Sequence, residues 1–140
     1  MLAFKDLLHR LNCENIDVRR NAPYFQADFR NQYLMNSRII GIDETDLLIL
    51  VGCNPRIEAP VLNARIRKAV GVNGLQVAII GSAGNYGYDY VHLGNTPKTL
   101  TDLVNGTNPF LKEKLMKAEL PMVLVSASTL ERSDGEGIMN

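Results

Sequence analysis

Residues 46–68 read DLLILVGCNPRIEAPVLNARIRK, and their residue types follow one another as a strand, a turn and a helix do. Leu47 to Val51 is a continuous apolar run, the pattern of a strand covered on both faces of a parallel sheet. Gly52-Cys53-Asn54-Pro55 carries turn chemistry, since Gly and Asn tolerate unusual backbone angles and Pro presets φ. From Glu58 to Val70 the periodicity predicts a helix, with Leu62, Ile66 and Ala69 on one face and Arg65, Arg67 and Lys68 turned outward or sideways. Asn73-Gly74 ends this unit, and Leu75 to Ile80 reads as a second buried strand.

Working outward, Thr96-Pro97 predicts a helix start and Gly106 its end, while Asn108-Pro109 opens another helix running to about Ala118. Met122 to Val125 is a third buried strand. The fold class is therefore α/β, with the order β–α–β–α–α–β belonging to an open, doubly wound parallel sheet with right-handed crossovers. Upstream, Phe4, Leu7, Leu8 and Leu11 predict a short amphipathic helix over residues 4–12. Glu14 to Arg38 has no clean period, and its rings (Tyr24, Phe25, Phe29, Tyr33) suggest an irregular segment docked through aromatic contacts. The chain divides into residues 1–38, a helix and docking segment, and residues 39–140, the α/β portion. Three strands are few beside the about five or six of a usual sheet. Ser133-Asp134 also caps a helix that meets Asn140 within two turns. The expectation is a portion of a larger α/β protein, incomplete on its own.

The composition narrows the function. At 140 residues and 46% hydrophobic, the chain supports one sizeable core. Fifteen basic and 15 acidic side chains leave no net charge, which argues against a nucleic-acid binder or a polybasic membrane module. No apolar run approaches the roughly 18 residues of a membrane-spanning helix. Lys5 and Asp6 interrupt the N-terminal apolar pattern, so no secretory signal is legible. Two Cys and two His are too few for an iron–sulfur cluster held by this chain alone. His9 and Cys13 lie four apart, the spacing of a metal half-site on a helix, but no second pair exists, and no metal site is expected.

In open α/β sheets ligands bind outside the carboxyl ends of the strands. Here those loops span residues 52–56, 81–87 and 126–137, and all are small and polar. Gly81, Gly84 and Gly87 give a G-x-x-G-x-x-G spacing, but they lead into Tyr86-Gly87-Tyr88-Asp89-Tyr90 rather than a helix, unlike a dinucleotide fingerprint. Small residues that let the chain leave a strand account for them as well. Gly81-Ser82-Ala83-Gly84 is no nucleophile elbow, and His92 lies in an irregular stretch, so no catalytic residue is expected. Arg56, Arg65, Arg67 and Lys68 against Glu58 form a basic stretch that suits an anion, an acidic partner or simply a solvated helix face. Tyr86, Tyr88 and Tyr90 alternate, as an exposed interface or a half-buried packing cluster would.

The run DLLILVGCNPRIEAPVLNARIRK closely resembles the large iron–sulfur subunit of respiratory complex I, the NADH:ubiquinone oxidoreductase. So do FRNQYLMN at 29–36, VAIIGSAGNYGYDYVHLGNTPKTLTDLVNG, PMVLV and LERSDGEGIM, and Gly52, Asn54, Pro55, Arg56, Glu58, Ala59 and Pro60 are the most specific part. The resemblance implies a portion of the family's molybdopterin-oxidoreductase-like domain, nearer mitochondrial than general bacterial versions, with Met1 falling where the family is mid-chain. It implies a structural, non-catalytic part of the peripheral arm, on the matrix side of the mitochondrial inner membrane. Its partners would be other peripheral-arm subunits, including a segment bearing the iron–sulfur clusters, with no nucleic acid and no membrane span. No cofactor is expected in this chain, since the cluster-binding cysteines have no counterparts here. Where active molybdopterin enzymes place an Asp-Pro-Arg type motif after the second strand, this sequence has Gly81-Ser82-Ala83. The implied pocket, at Gly52, Asn54, Pro55, Gly81 and Ser82, is therefore expected to be vestigial. The alternative is a ligand-binding α/β domain that keeps a nucleotide or molybdopterin at those loops.

Overall fold

A computed structural model of the chain describes residues 2–16 and 28–139. Its centre is β1 (Leu47–Val51), whose residues are all buried, as the unbroken apolar run requires. On one side β1 pairs in parallel with β2 (Gln76–Ile80), Leu47 opposite Gln76 and Val51 opposite Ile80. On the other side it pairs in parallel with β4 (Pro121–Val125), Leu47 opposite Pro121 and Val51 opposite Val125. A further parallel strand, β3 (Val91–Gly94), joins β2, so the sheet order is β3-β2-β1-β4.

Side-chain alternation divides the sheet into two covered faces. Leu48, Leu50, Val77, Ile79 and Met122 share a face with Ile42, Ile66 and Ala69, beneath α3 (Pro60–Asn73). Leu47, Ile49, Val51, Ala78 and Ile80 share the other with Leu103 of α4 (Pro97–Val104) and with Phe110 of α5 (Pro109–Glu113). This is the doubly wound α/β arrangement expected from the sequence. Arg65 of α3 ties down the segment before β1 through a 2.6 Å ion pair to Asp43.

Several local readings are corrected. The sheet has four strands, not three, because His92 lies in β3 rather than in an irregular stretch. The helix expected from Glu58 is two helices, α2 (Pro55–Glu58) and α3, each opening on a proline that has no N–H to continue a preceding helix. The helix expected to reach Ala118 stops at Glu113 and is followed by a 3-10 turn over Leu115–Lys117. The first helix, α1, covers Leu2–Arg10 instead of residues 4–12 and buries none of its side chains. Cys13 therefore lies beyond it, after Asn12 at φ 54°, and the shared helical face proposed for His9 and Cys13 does not form. Two short helices follow β4: α6 (Ala127–Leu130), not anticipated, and α7 (Gly135–Met139), directly after Ser133-Asp134. Tyr24 and Phe25, expected to dock the irregular segment, lie outside the described residues. Phe29 and Tyr33 are exposed.

Candidate functional site

At the carboxyl ends of the strands the four post-strand loops enclose a cleft of about 490 Å³. Gly52, Cys53 and Asn54 enter it after β1, Gly81 and Ser82 after β2, Asn95 and Thr96 after β3, and Ser128, Thr129 and Arg132 after β4. Close backbone approach shapes its floor. Gly52 stands at φ 55° with no room for a side chain, because a Cβ there would run into Thr129 Oγ1. Gly81 has φ 145°, and a Cβ on it would meet Gly52 Cα at 3.3 Å. Glycine is needed at both positions for φ and for space.

Most polar groups around the cleft bind one another, while Asn54 Oδ1 is buried in its wall without a hydrogen-bond partner among the described residues. The Asn54 backbone N–H donates to Glu58 Oε1 at 2.8 Å, and Ser126 Oγ donates to Glu58 Oε2 at 2.5 Å. Glu58 thus staples the loop after β1 to the loop after β4. Thr129 Oγ1 donates to the Gly52 carbonyl at 3.2 Å, and His92 Nε2–H donates to the Gly81 carbonyl at 2.8 Å. Arg132 holds Asp134 through both arms of its guanidinium, at 2.7 and 2.9 Å. This contact lowers the Asp134 carboxyl below its usual range and raises the Arg132 guanidinium. Burial, and then the nearby Glu58 charge, push the Cys53 thiol up to about 12, so it stays protonated and is a poor nucleophile or ligand.

Of the pocket residues expected from the sequence, Gly52, Asn54, Gly81 and Ser82 line the cleft together. Pro55 does not: it is buried at the first position of α2. The sequence reading missed Asn95, Thr96 and Ile138 as lining residues, whereas Ser128, Thr129 and Arg132 lie in the loop 126–137 that it placed at the carboxyl end of a strand. Gly94-Asn95-Thr96 after a short β-prone stretch was the signal for Asn95 and Thr96. The tyrosines pack instead of forming a surface stripe: Tyr86 is buried, and its ring lies edge-on to Tyr90 at 5.2 Å. Tyr88 Oη donates to Asn63 Oδ1 at 3.0 Å, and burial raises the Tyr88 phenol. Within the basic stretch, Arg56 donates to the Asn85 carbonyl at 2.8 Å and Arg65 pairs with Asp43. Among the described residues no group of three or more His, Cys, Asp or Glu is placed to hold a metal ion.

The sequence model of the molybdopterin oxidoreductase family matches residues 1–140. The chain is 38% identical over 138 residues to the potato (Solanum tuberosum) protein "NADH dehydrogenase [ubiquinone] iron-sulfur protein 1, mitochondrial", covering 99% of this chain and 19% of that one. It is 37% identical over 152 residues to the NADH-ubiquinone oxidoreductase 75 kDa subunit of Reclinomonas americana, covering 99% of this chain and 22% of that one. To the mitochondrial NADH-ubiquinone oxidoreductase 78 kDa subunit of Candida albicans it is 36% identical over 140 residues, covering 99% of this chain and 19% of that one. The chain thus spans about a fifth of the length of these relatives.

A molybdopterin is an anionic group, a phosphate-bearing pterin whose paired sulfurs hold the metal. The described lining of the cleft does not fit it. Its one cation, Arg132, is engaged by Asp134, and Glu58 adds a carboxylate to the wall. The one lining thiol, Cys53, is buried and protonated.

Proposed function

Because the chain belongs to the molybdopterin oxidoreductase family, we propose that it has kept the family's fold as a scaffold, as a structural, non-catalytic part of the peripheral, NADH-oxidising arm of respiratory complex I. The observation that carries this reading is similarity running the whole length of the chain to subunits named for NADH–ubiquinone oxidoreductase, joined to a cleft whose charged groups, Glu58 and Arg132, are engaged by neighbouring protein groups. In this role the chain helps fix the cluster-bearing part of its subunit. Electrons pass through iron–sulfur clusters held elsewhere in the complex, and this chain holds no cofactor. Its partners are other peripheral-arm subunits on the matrix side of the mitochondrial inner membrane. No helix among the described residues is long and apolar enough to cross a membrane, which suits attachment through neighbours.

The test is the native mass and composition of the assembly that contains this chain, isolated gently from its source. Co-migration with iron–sulfur and flavin subunits in one NADH-oxidising particle supports the scaffold reading, and a free monomer overturns it. The cleft's volume, within the usual small-molecule range of about 300–1,000 Å³, favours one second reading: a domain that binds a small ligand. A ligand that binds only the native state raises its melting temperature. No shift with saturating nucleotide or molybdopterin removes this reading.

A further inference from the structure

The two outer strands of the sheet differ in how they end it. Among the described residues β4 pairs with β1 alone, and its sequence, PMVLV, carries no charged side chain. Val123 is 58% and Val125 39% exposed, while Ile49 and Val51, opposite them on β1, are 2% and 5% exposed. Register puts Val123 and Val125 on the face that α4 and α5 cover over β1, so that covering layer stops short of β4. The backbone shows the same incompleteness. The Ser126 amide donates to the Val51 carbonyl, and alternation along a strand turns the Val123 and Val125 amides the other way, outward from the sheet. Pro121 shares their direction but has no N–H to donate. The same two valines thus present both open backbone groups and uncovered side chains. Natural edge strands are ordinarily guarded by charge, distortion or a cover.

We infer that β4 is an internal strand of the functional protein: an additional strand lies parallel along it, and a helix attached to that strand covers Val123 and Val125. The occupant is polypeptide from the part of the subunit that the relatives possess beyond this segment, about four-fifths of their length. Orientation argues for this source over a second copy of the chain. Every pair in the sheet is parallel. A two-fold dimer joined through β4 would set identical strands antiparallel about an axis normal to the sheet, and about an axis along the strands it would bring the same outward amides face to face, so neither continues the parallel ladder. Purely parallel sheets are covered on both faces, so the added strand is apolar on both and brings its own helix through a right-handed crossover. The inference rests on the chain's belonging to a larger subunit and not on which complex that subunit serves.

The experiment is residue-resolved amide hydrogen exchange on the native assembly containing this chain, with Leu124, whose amide faces β1, as the internal reference. The expected result is protection of Val123 and Val125 within about tenfold of Leu124, as in a strand paired on both sides. Exchange on the order of a hundredfold or more faster at Val123 and Val125 overturns the inference. Protection in a particle where cross-linking joins β4 to β4 of a second copy overturns the choice of occupant. A second readout uses V123D/V125D against V104D, a control at an α4 residue that is 84% exposed. The double variant is expected to fall at least about tenfold in recovery with the assembly while the control does not; equal recovery overturns the inference. Identifying the companion subunits by mass separately tests the complex I assignment, so the two readings fail in distinguishable ways.

Discussion

The β3 and β4 edges close the same sheet by opposite means. β3 is short, its register slips between Ile79 and Ile80, and Gly94 at its end has φ 145°. Its groups turn back on the molecule: the Gly94 carbonyl accepts the Gly81 amide at 2.8 Å, and the His92 ring bonds the Gly81 carbonyl. β4 pairs with β1 in regular register throughout, and side-chain hydrogen bonds hold its two ends. Asp46 accepts the Glu119 and Leu120 amides at its entry, and Glu58 accepts the Ser126 hydroxyl at its exit. One edge is sealed by local geometry and the other is clamped at both ends but open along its length. Distortion protects an edge by denying a template to a new strand, whereas clamping preserves one.

The largest effect is expected where the sealed edge depends on glycine. Gly94→Ala places a side chain at φ 145° and drives its Cβ into Thr99 Oγ1, so a loss of about 3 kcal/mol in urea unfolding is expected. The double variant G94A/T99A should recover the steric part and leave the backbone part. If G94A is neutral, β3 is not held by this geometry and the contrast between the edges collapses. Next comes Gly52→Ala, at φ 55° and facing Thr129, with an expected loss of about 2 kcal/mol by the same measurement. It loosens the exit of β4 by pushing away the hydroxyl that bonds the Gly52 carbonyl.

A smaller loss is expected from Glu58→Gln, which retains shape but removes the charge that strengthens two hydrogen bonds. About 1 kcal/mol is the scale for weakening such bonds at a partly exposed site. A double-mutant cycle with Ser126→Ala should show the two changes to be non-additive. Additivity would mean that Glu58 does not join the loops.

The centre of the sheet and the β4 strand were legible, although β4 was expected to be buried and is largely exposed; the β3 edge was not legible, for a physical reason. Residues 47–51 and 77–80 are buried, so burial alone dictates an apolar run that can be read without knowing the neighbours. Val91–Gly94 is half exposed and contains His92 and Gly94, and its strand character comes mainly from pairing with β2, which its short β-prone stretch signals only weakly. Missing that strand concealed its loop, and with it Asn95 and Thr96 as walls of the cleft. Gly52, Asn54, Gly81 and Ser82 were legible because the carboxyl ends of parallel strands are where clefts form, whatever they bind. The split between α2 and α3 is written at Pro60, where the longer helical periodicity masks it.

The smallest expected effect sharpens the contrast at the entry of β4 and is read from pH. Asp46 accepts amides from Glu119 and Leu120 at 2.7 and 3.1 Å, and these bonds, Glu119 first, lower its carboxyl below the ordinary 3.8. A carboxylate whose folded value is depressed binds fewer protons folded than unfolded. Its contribution is therefore complete above about 3.8 and is lost as pH falls through the lower folded value. Asp46→Asn removes the charge while keeping one acceptor, and should flatten the acid limb of the stability profile below that point and leave the slope at neutral pH unchanged. Asp134, lowered by Arg132, contributes to the same limb, so D134N provides the comparison. An acid limb that D134N alone flattens would mean the β4 entry is not clamped through a charge. If D46N flattens it and also speeds amide exchange at Met122 and Leu124, the clamp holds the strand itself in place, and with it the template along which a further strand can add.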